Sequence, residues 1–340
     1  MNFKSDNYAG VCPEIMQALA AANGGYTAAY GADDYSKRLK EKVAKIFEHE
    51  VTIYLTSTGT AANCLALSAI APAYGAIYCH DHAHINTDEC GASAMFTNAV
   101  LKTVGGKDGK IDVRDLERQV SNDLELRPHA SKPVAISVTQ LTEGGTSYSL
   151  DELAAIKACA KRYGLGMHMD GARFANALVT LGCTPAQMTW KAGVDVLSFG
   201  ATKNGAMMAE MVVFFDQKFA ADFDYRHKRA GQLASKTRFI AAQFLAYFDQ
   251  DLWLKNARHA NAMAQRLAAT LRDVPGVSID HAVQGNEIFV TMPQAMADQL
   301  TKEGAQFYSW GQGCYRLVTS WATLEKDVEA FEMAIAGGKR

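Results

Sequence analysis

The sequence predicts an α/β protein, a mainly parallel sheet flanked by helices, followed by a smaller C-terminal α+β region. Apolar, β-branched runs alternate with helical patterns through residues 1–250, as expected of strands joined by crossover helices. Near Trp253 this pattern gives way to one long helical stretch and then short strands, so residues 251–340 read as a second, smaller unit. Hydrophobic residues make up 49% of the 340, enough to fill a large core and a small one.

Val51 to Leu55 reads as the first clear strand, with a Gly-containing turn and a helix from Thr60 to Ala71 behind it. Ala76–Cys79, Pro133–Val138, Leu165–Met169, Val194–Phe199 and Met211–Phe215 read as further strands. Ser149-Leu150-Asp151-Glu152 is a capping box that opens a helix running to Tyr163. In the second unit a helix from Trp253 to Asp273 is broken by Pro275-Gly276. Strands at Val277–Asp280 and Glu287–Met292, a helix at Gln294–Lys302, a strand at Tyr315–Thr319 and a last helix complete it.

Composition narrows the function classes. Formal net charge is −2 with no basic cluster, which argues against nucleic acid or an anionic membrane as partner. The seven cysteines are scattered, odd in number and without a C-x-x-C pair, which suits a reducing cytoplasm. No apolar leader opens the sequence and no later run reaches membrane-spanning length, so a soluble cytoplasmic protein is expected.

Two segments carry the chemistry. In Ser198-Phe199-Gly200-Ala201-Thr202-Lys203-Asn204-Gly205 a lysine leaves a buried strand between small residues. That is a poor place for a solvated charge and a good one for a Schiff-base amine. In Leu165-Gly166-Met167-His168-Met169-Asp170-Gly171-Ala172-Arg173 another strand ends on a carboxylate. A strand-end Asp with a later strand-end Lys is what pyridoxal phosphate needs, Asp170 for the ring nitrogen and Lys203 for the aldehyde carbon. In parallel sheets such groups gather beyond the carboxyl ends of the strands.

Other segments admit two readings each. Thr56-Ser57-Thr58-Gly59-Thr60-Ala61 could cradle a phosphate at a helix N-terminus or simply cap the helix. His80-Asp81-His82-Ala83-His84 could converge on a metal, as in a zinc hydrolase, but no further ligand stands at a recognisable spacing. Stacking of His84 on the cofactor ring, with no metal, is the favoured reading. Arg173 could anchor a substrate carboxylate or pair with Asp170. Arg316, a lone charge on an apolar strand, needs an anionic partner such as an α-carboxylate. Lys228-Arg229 and Lys236-Thr237-Arg238 read equally as a solvated loop or a phosphate contact.

Taken in order, these segments resemble the threonine aldolase family of fold-type-I pyridoxal-phosphate enzymes over nearly the whole length. The resemblance is carried by Phe3-Lys4-Ser5-Asp6, Tyr30-Gly31-x-Asp33, Ser57-Thr58-Gly59-Thr60 and Ala83-His84. The Asp170-Gly171-Ala172-Arg173 box, the Lys203 segment and Arg316-Leu317-Val318-Thr319 extend it. It implies that Lys203 carries the Schiff base, Asp170 partners the ring nitrogen and His84 stacks on the ring within reach of the substrate hydroxyl. It further implies that Thr58, Gly59 and Thr60 hold the phosphate and that Ser5, Arg173 and Arg316 grip the carboxylate. A neighbouring subunit is expected to supply Arg229 or Lys236 to the phosphate, and Tyr30 to the site, in a homodimer or homotetramer.

Glu143, in Thr139-Gln140-Leu141-Thr142-Glu143-Gly144-Gly145, stands where many family members carry a second histidine. It either contacts the β-hydroxyl region or faces outward in the Gly-Gly turn. The activity expected is retro-aldol cleavage of L-threonine or L-allo-threonine to glycine and an aldehyde. β-Elimination, racemisation or transamination would use the same lysine and aspartate, and product analysis separates them. A scaffold without catalysis is disfavoured, because it has no use for a desolvated charge set.

Overall fold

The computed structural model describes residues 1–337 and contains two sheets. The seven strands of the larger are β1 (Thr52–Thr56), β2 (Gly75–His80), β3 (Val100–Val104), β4 (Lys132–Thr139), β5 (Gly166–Gly171), β6 (Val196–Gly200) and β7 (Glu210–Phe214). They lie in the order β1-β7-β6-β5-β4-β2-β3. Pairings from β3 through β6 are parallel, while β7 runs antiparallel to both β6 and β1. Strands β2, β5, β6 and β7 are buried along their whole length, as expected of central strands covered on both faces.

The smaller sheet is antiparallel and joins β8 (Ser278–Ile279), β9 (Glu287–Thr291), β10 (Tyr308–Ser309) and β11 (Cys314–Val318) in the order β10-β11-β9-β8. The helix Leu252–Arg272 ties the two parts together. Its first turns place Trp253 and Ala257 in the large core, and Met263, Leu267 and Leu271 further along lie in the small one. The N-terminal segment joins the small core as well. Phe3 packs edge-on against Phe331, its carbonyl accepts from the Val318 amide at 2.8 Å, and Asn2 bridges to Gln306. No helix among the described residues is long and apolar enough to cross a membrane.

Most expected elements fall within a residue or two of their places. The two missed strands are β3, a partly exposed edge strand interrupted by Lys102, and the two-residue β10. The antiparallel β7 was also unforeseen, since a strand buried on both faces has the same pattern in either direction.

Candidate active site

A cleft of about 270 Å³ opens beyond the carboxyl ends of β4, β5 and β6, and Thr58, Gly59, Thr60, His84, Glu143, Asp170 and Lys203 all line it. A larger hollow of about 440 Å³ beside Tyr74, Arg127 and Pro133 holds none of these groups.

One end of the cleft is the start of the helix Gly59–Ile70. Thr58 is the cap, in extended conformation, and its hydroxyl accepts from the Ala61 amide at 3.2 Å. The first amides of a helix have no intrahelical acceptor, so Gly59 and Thr60 offer theirs to an anion. One turn on, Asn63 is polar in a helix that is otherwise almost wholly apolar on its buried face. Its Nδ2 donates to Asp170 Oδ2 at 2.7 Å, while the Ala172 amide donates to Oδ1 at 3.0 Å. Asp170 is thereby fixed at the end of β5 with only 4% of its surface exposed. Gly200 ends β6 where a Cβ would come within 2.9 Å of the Ala172 backbone and of Glu210 Oε2, so the strand can approach only without a side chain. Lys203 follows in a short helical turn, Thr202–Asn204, and its charge favours the ionised forms of Asp6, Glu143, Glu210 and Glu287.

His84 opens a short helix, His84–Thr87, and its Nδ1 lies 3.0 Å from Glu89 Oε1. The same Glu89 oxygen accepts from Asn63 Nδ2 at 2.9 Å. The hydrogen bond to Glu89 holds His84 protonated to higher pH than an ordinary imidazole, with burial opposing. Glu143 faces inward. It is half-buried in the cleft wall, and burial pushes its carboxyl up to about 7. Burial likewise pushes Glu210, at the start of β7, up to about 7.

The two arginines are placed differently from the expectation. Arg173 does not pair with Asp170. Its Nε and Nη2 donate to Asp6 Oδ2 and Oδ1 at 2.8 and 3.1 Å, and its Nη1 lies 3.1 Å from Glu287 Oε2. Burial alone would lower the affinity of Arg173 for its proton, but Asp6 and Glu287 raise it above the ordinary value. Burial pushes Asp6 up as well, yet Arg173 and Lys203 outweigh it and hold the carboxyl below the usual range. Arg316 packs over Trp310 at 4.4 Å, with its Nη1 3.8 Å from Glu287 Oε1. Neither arginine lines the cleft.

Ser5 caps the turn Asp6–Tyr8, its hydroxyl accepting from the Asn7 amide at 3.1 Å, and from this segment it is Asn7 that reaches the cleft wall. Tyr30, Arg229 and Lys236 are exposed and do not line this chain's cleft; Lys228 Nζ lies 5.4 Å over the Tyr30 ring. The three imidazoles of 80–84 do not converge. His80 ends β2 with Nε2 3.3 Å from the Gly106 carbonyl, and His84 turns to Glu89, so only His80, Asp81 and His82 stay grouped.

Sequence reasoning missed Asp6, Asn63, Glu89, Glu210 and Glu287. Faint signals were present: an Asn inside an apolar helix, and single glutamates opening the apolar runs Glu210–Phe214 and Glu287–Thr291.

Comparison with known proteins agrees with this geometry. Residues 2–295 match the family model described as beta-eliminating lyase. The low specificity L-threonine aldolase of Pseudomonas sp. (strain NCIMB 10558) is 44% identical over 328 residues, covering 96% of this chain and 94% of the relative. That of Pseudomonas aeruginosa is 45% identical over 94% of this chain and 93% of its own. A solved threonine aldolase structure from Leishmania major superposes with a TM-score of 0.94 at 27% identity, covering 100% of this chain and 99% of that one. A cleft built on a strand-end lysine and aspartate, in a chain this similar over its length, places the protein in the beta-eliminating lyase family, among the low-specificity L-threonine aldolases.

Proposed function

We propose that this chain cleaves the Cα–Cβ bond of β-hydroxy-α-amino acids of the threonine and allo-threonine type, releasing glycine and an aldehyde. The observation that carries the reading is the meeting, in one cleft, of the Lys203 amine, the buried Asp170 carboxylate and the open helix start at Gly59 and Thr60. The names of the relatives supply the substrate class.

Pyridoxal phosphate suits this donor set. Its phosphate matches the Gly59 and Thr60 amides with the Thr58 and Thr60 hydroxyls, its ring nitrogen matches Asp170, and its aldehyde matches Lys203. When bound, the cofactor supplies an electron sink for the pair freed as Cα–Cβ breaks. Asp170, oriented by Asn63 and the Ala172 amide, holds a proton on the ring nitrogen. His84, in the cleft wall, would stack on the ring. Glu89 takes its Nδ1–H, which leaves Nε2 as the atom able to accept the β-hydroxyl proton. Glu143 reaches the same hydroxyl, directly or through a water, and helps set which β-diastereomer is cleaved. A carboxyl pushed up to about 7 can give or take a proton near neutrality, which supports that role. Arg173 and Arg316, held behind the cleft by Asp6 and Glu287 until substrate enters, fix the substrate carboxylate together with Ser5, and Lys203 delivers a proton to Cα before glycine leaves.

The chain works as a homodimer or homotetramer, lending Tyr30 and either Arg229 or Lys236 to a partner's cleft. Their exposure, and their not lining this chain's own cleft, support that reading. Seven unpaired cysteines support a reducing cytoplasm as its setting. Incubating the purified holoenzyme with L-threonine tests the main proposal. Equal amounts of glycine and acetaldehyde are expected, whereas pyruvate, a keto acid or an inverted amino acid would assign a different reaction.

A further inference from the structure

The buried charge cluster behind the cleft contains an acid that the reaction does not require. Glu287 opens β9 with 1% of its surface exposed, and its Cβ packs against Gly145, where any side chain would come within 3.1 Å. Neither carboxylate oxygen makes a hydrogen bond, although Arg173 Nη1 stands at 3.1 Å and Arg316 Nη1 at 3.8 Å. Arg316 Nε is also buried without a partner. Asp6, the other acid of the cluster, is held very differently. It takes two hydrogen bonds from Arg173 and one from Asn286 Nδ2 at 3.0 Å. One acid is anchored, and the other is held by charge alone.

The arginine groups facing Glu287 are those that the proposed function assigns to the substrate carboxylate. We propose that Glu287 is a resident stand-in for that carboxylate, keeping Arg173 and Arg316 together in the free enzyme and yielding them to the incoming amino acid. The inference rests on the amino-acid cleavage reading above. Charge balance requires the exchange. Asp6 and Glu287 match Arg173 and Arg316, two against two, so a third carboxylate leaves the group one negative charge in excess. Glu287 must then take up a proton from solvent or swing away. The other charged groups around it are Lys203, a cation, and Glu143, whose own carboxyl is pushed up to about 7; both line the cleft. Burial already pushes the Glu287 carboxyl upward, with Asp6 adding to the effect and Arg173, Arg316 and Lys203 opposing it, which favours proton uptake over movement.

Glycine and ethylamine share the amine and differ in the carboxylate, so calorimetric titration of the holoenzyme with each isolates the exchange. Glu287→Gln should bind glycine roughly tenfold tighter, the scale of one charge-assisted contact, with ethylamine unchanged. Wild-type protein, titrated in buffers of different ionisation enthalpy, should take up more protons with glycine than with ethylamine, and Glu287→Gln should lose that excess. Unchanged or weaker glycine binding by a folded Glu287→Gln overturns the proposal. Equal proton uptake for the two ligands in wild type does so too, and that measurement decides alone if the variant does not fold. A wild type that binds glycine no better than ethylamine would remove the carboxylate site itself, and with it the assignment of the two arginines.

Discussion

At the large-sheet end of the cleft, Asn63 and the Ala172 amide orient Asp170, and the amides of Gly59 and Thr60 have no acceptor of their own. At the small-sheet end, both arginines already have acidic partners, Asp6 and Glu287. The first end is preorganised and open, as a site for a resident group should be. The second is internally neutralised, as a site that binds and releases a ligand at every turnover can be without leaving bare charge in the interior. The same residue types therefore do different work at the two ends: Asp170 waits for a partner, and Glu287 already has two.

The largest effect is expected at the open end. Lys203→Ala should lower turnover by more than about a thousandfold and abolish covalent retention of the cofactor while the fold survives. Borohydride reduction and peptide mapping of wild type check the assignment, and a label on any other lysine would defeat it. Asp170→Asn should retain some cofactor and lose roughly a hundredfold in rate, the equivalent of a charge-assisted hydrogen bond lost at the transition state. Near-native turnover would remove Asp170 from the role given to it.

The paired end should respond in stability as well as binding. Arg173→Leu leaves Asp6 and Glu287 buried without their main cation and should destabilise the fold by about 3–5 kcal/mol, read by denaturant or thermal melting. Arg316 has only a distant acid and two aromatic rings, Tyr308 and Trp310, as neighbours, so Arg316→Leu should leave melting nearly intact and weaken glycine binding by about 2 kcal/mol. Equal melting losses for the two would erase the distinction, within this end, between the firmly paired Arg173 and the loosely held Arg316.

Smaller changes are expected at the hydroxyl. Glu143→Gln should alter the ratio of L-threonine to L-allo-threonine cleavage and flatten its variation between pH 6 and 8, because the wild-type carboxyl titrates at about 7. An unchanged ratio would leave His84 alone in charge of that proton. The subtlest effect is Glu89→Gln. His84 acts as a base only when neutral, and Glu89 raises its pKa, so wild-type activity should climb with pH through a value above the ordinary 6.5. The variant should move that limb to lower pH, seen in kcat/KM profiles.

Much of the open end was legible in the sequence because its signals are local. Gly200 and Lys203 share one strand exit, Asp170 ends a strand, and Thr58 to Thr60 form one turn. The paired end was not, because its meaning depends on distant neighbours. Asp6 meets Arg173 across 167 residues and Asn286 across 280, and Glu287 reads in sequence as an ordinary polar residue opening a strand. Arg316 could be singled out as a charge needing an anion, but nothing near it in sequence says that the anion is already built in.

The strap formed by residues 1–6 has a consequence for how the molecule comes into being. Met1 sits against Gly304, 303 residues away, Phe3 against Val318 and Phe331, and Asp6 against Asn286. On a ribosome residues 1–6 emerge well before the segments they dock on, around Asn286, Gly304 and Val318. The large sheet can assemble during synthesis, but the segment that anchors Arg173 and brings Asn7 to the cleft wall must wait. Catalytic competence should accordingly lag behind secondary structure in refolding, with closure of this long loop as the late event.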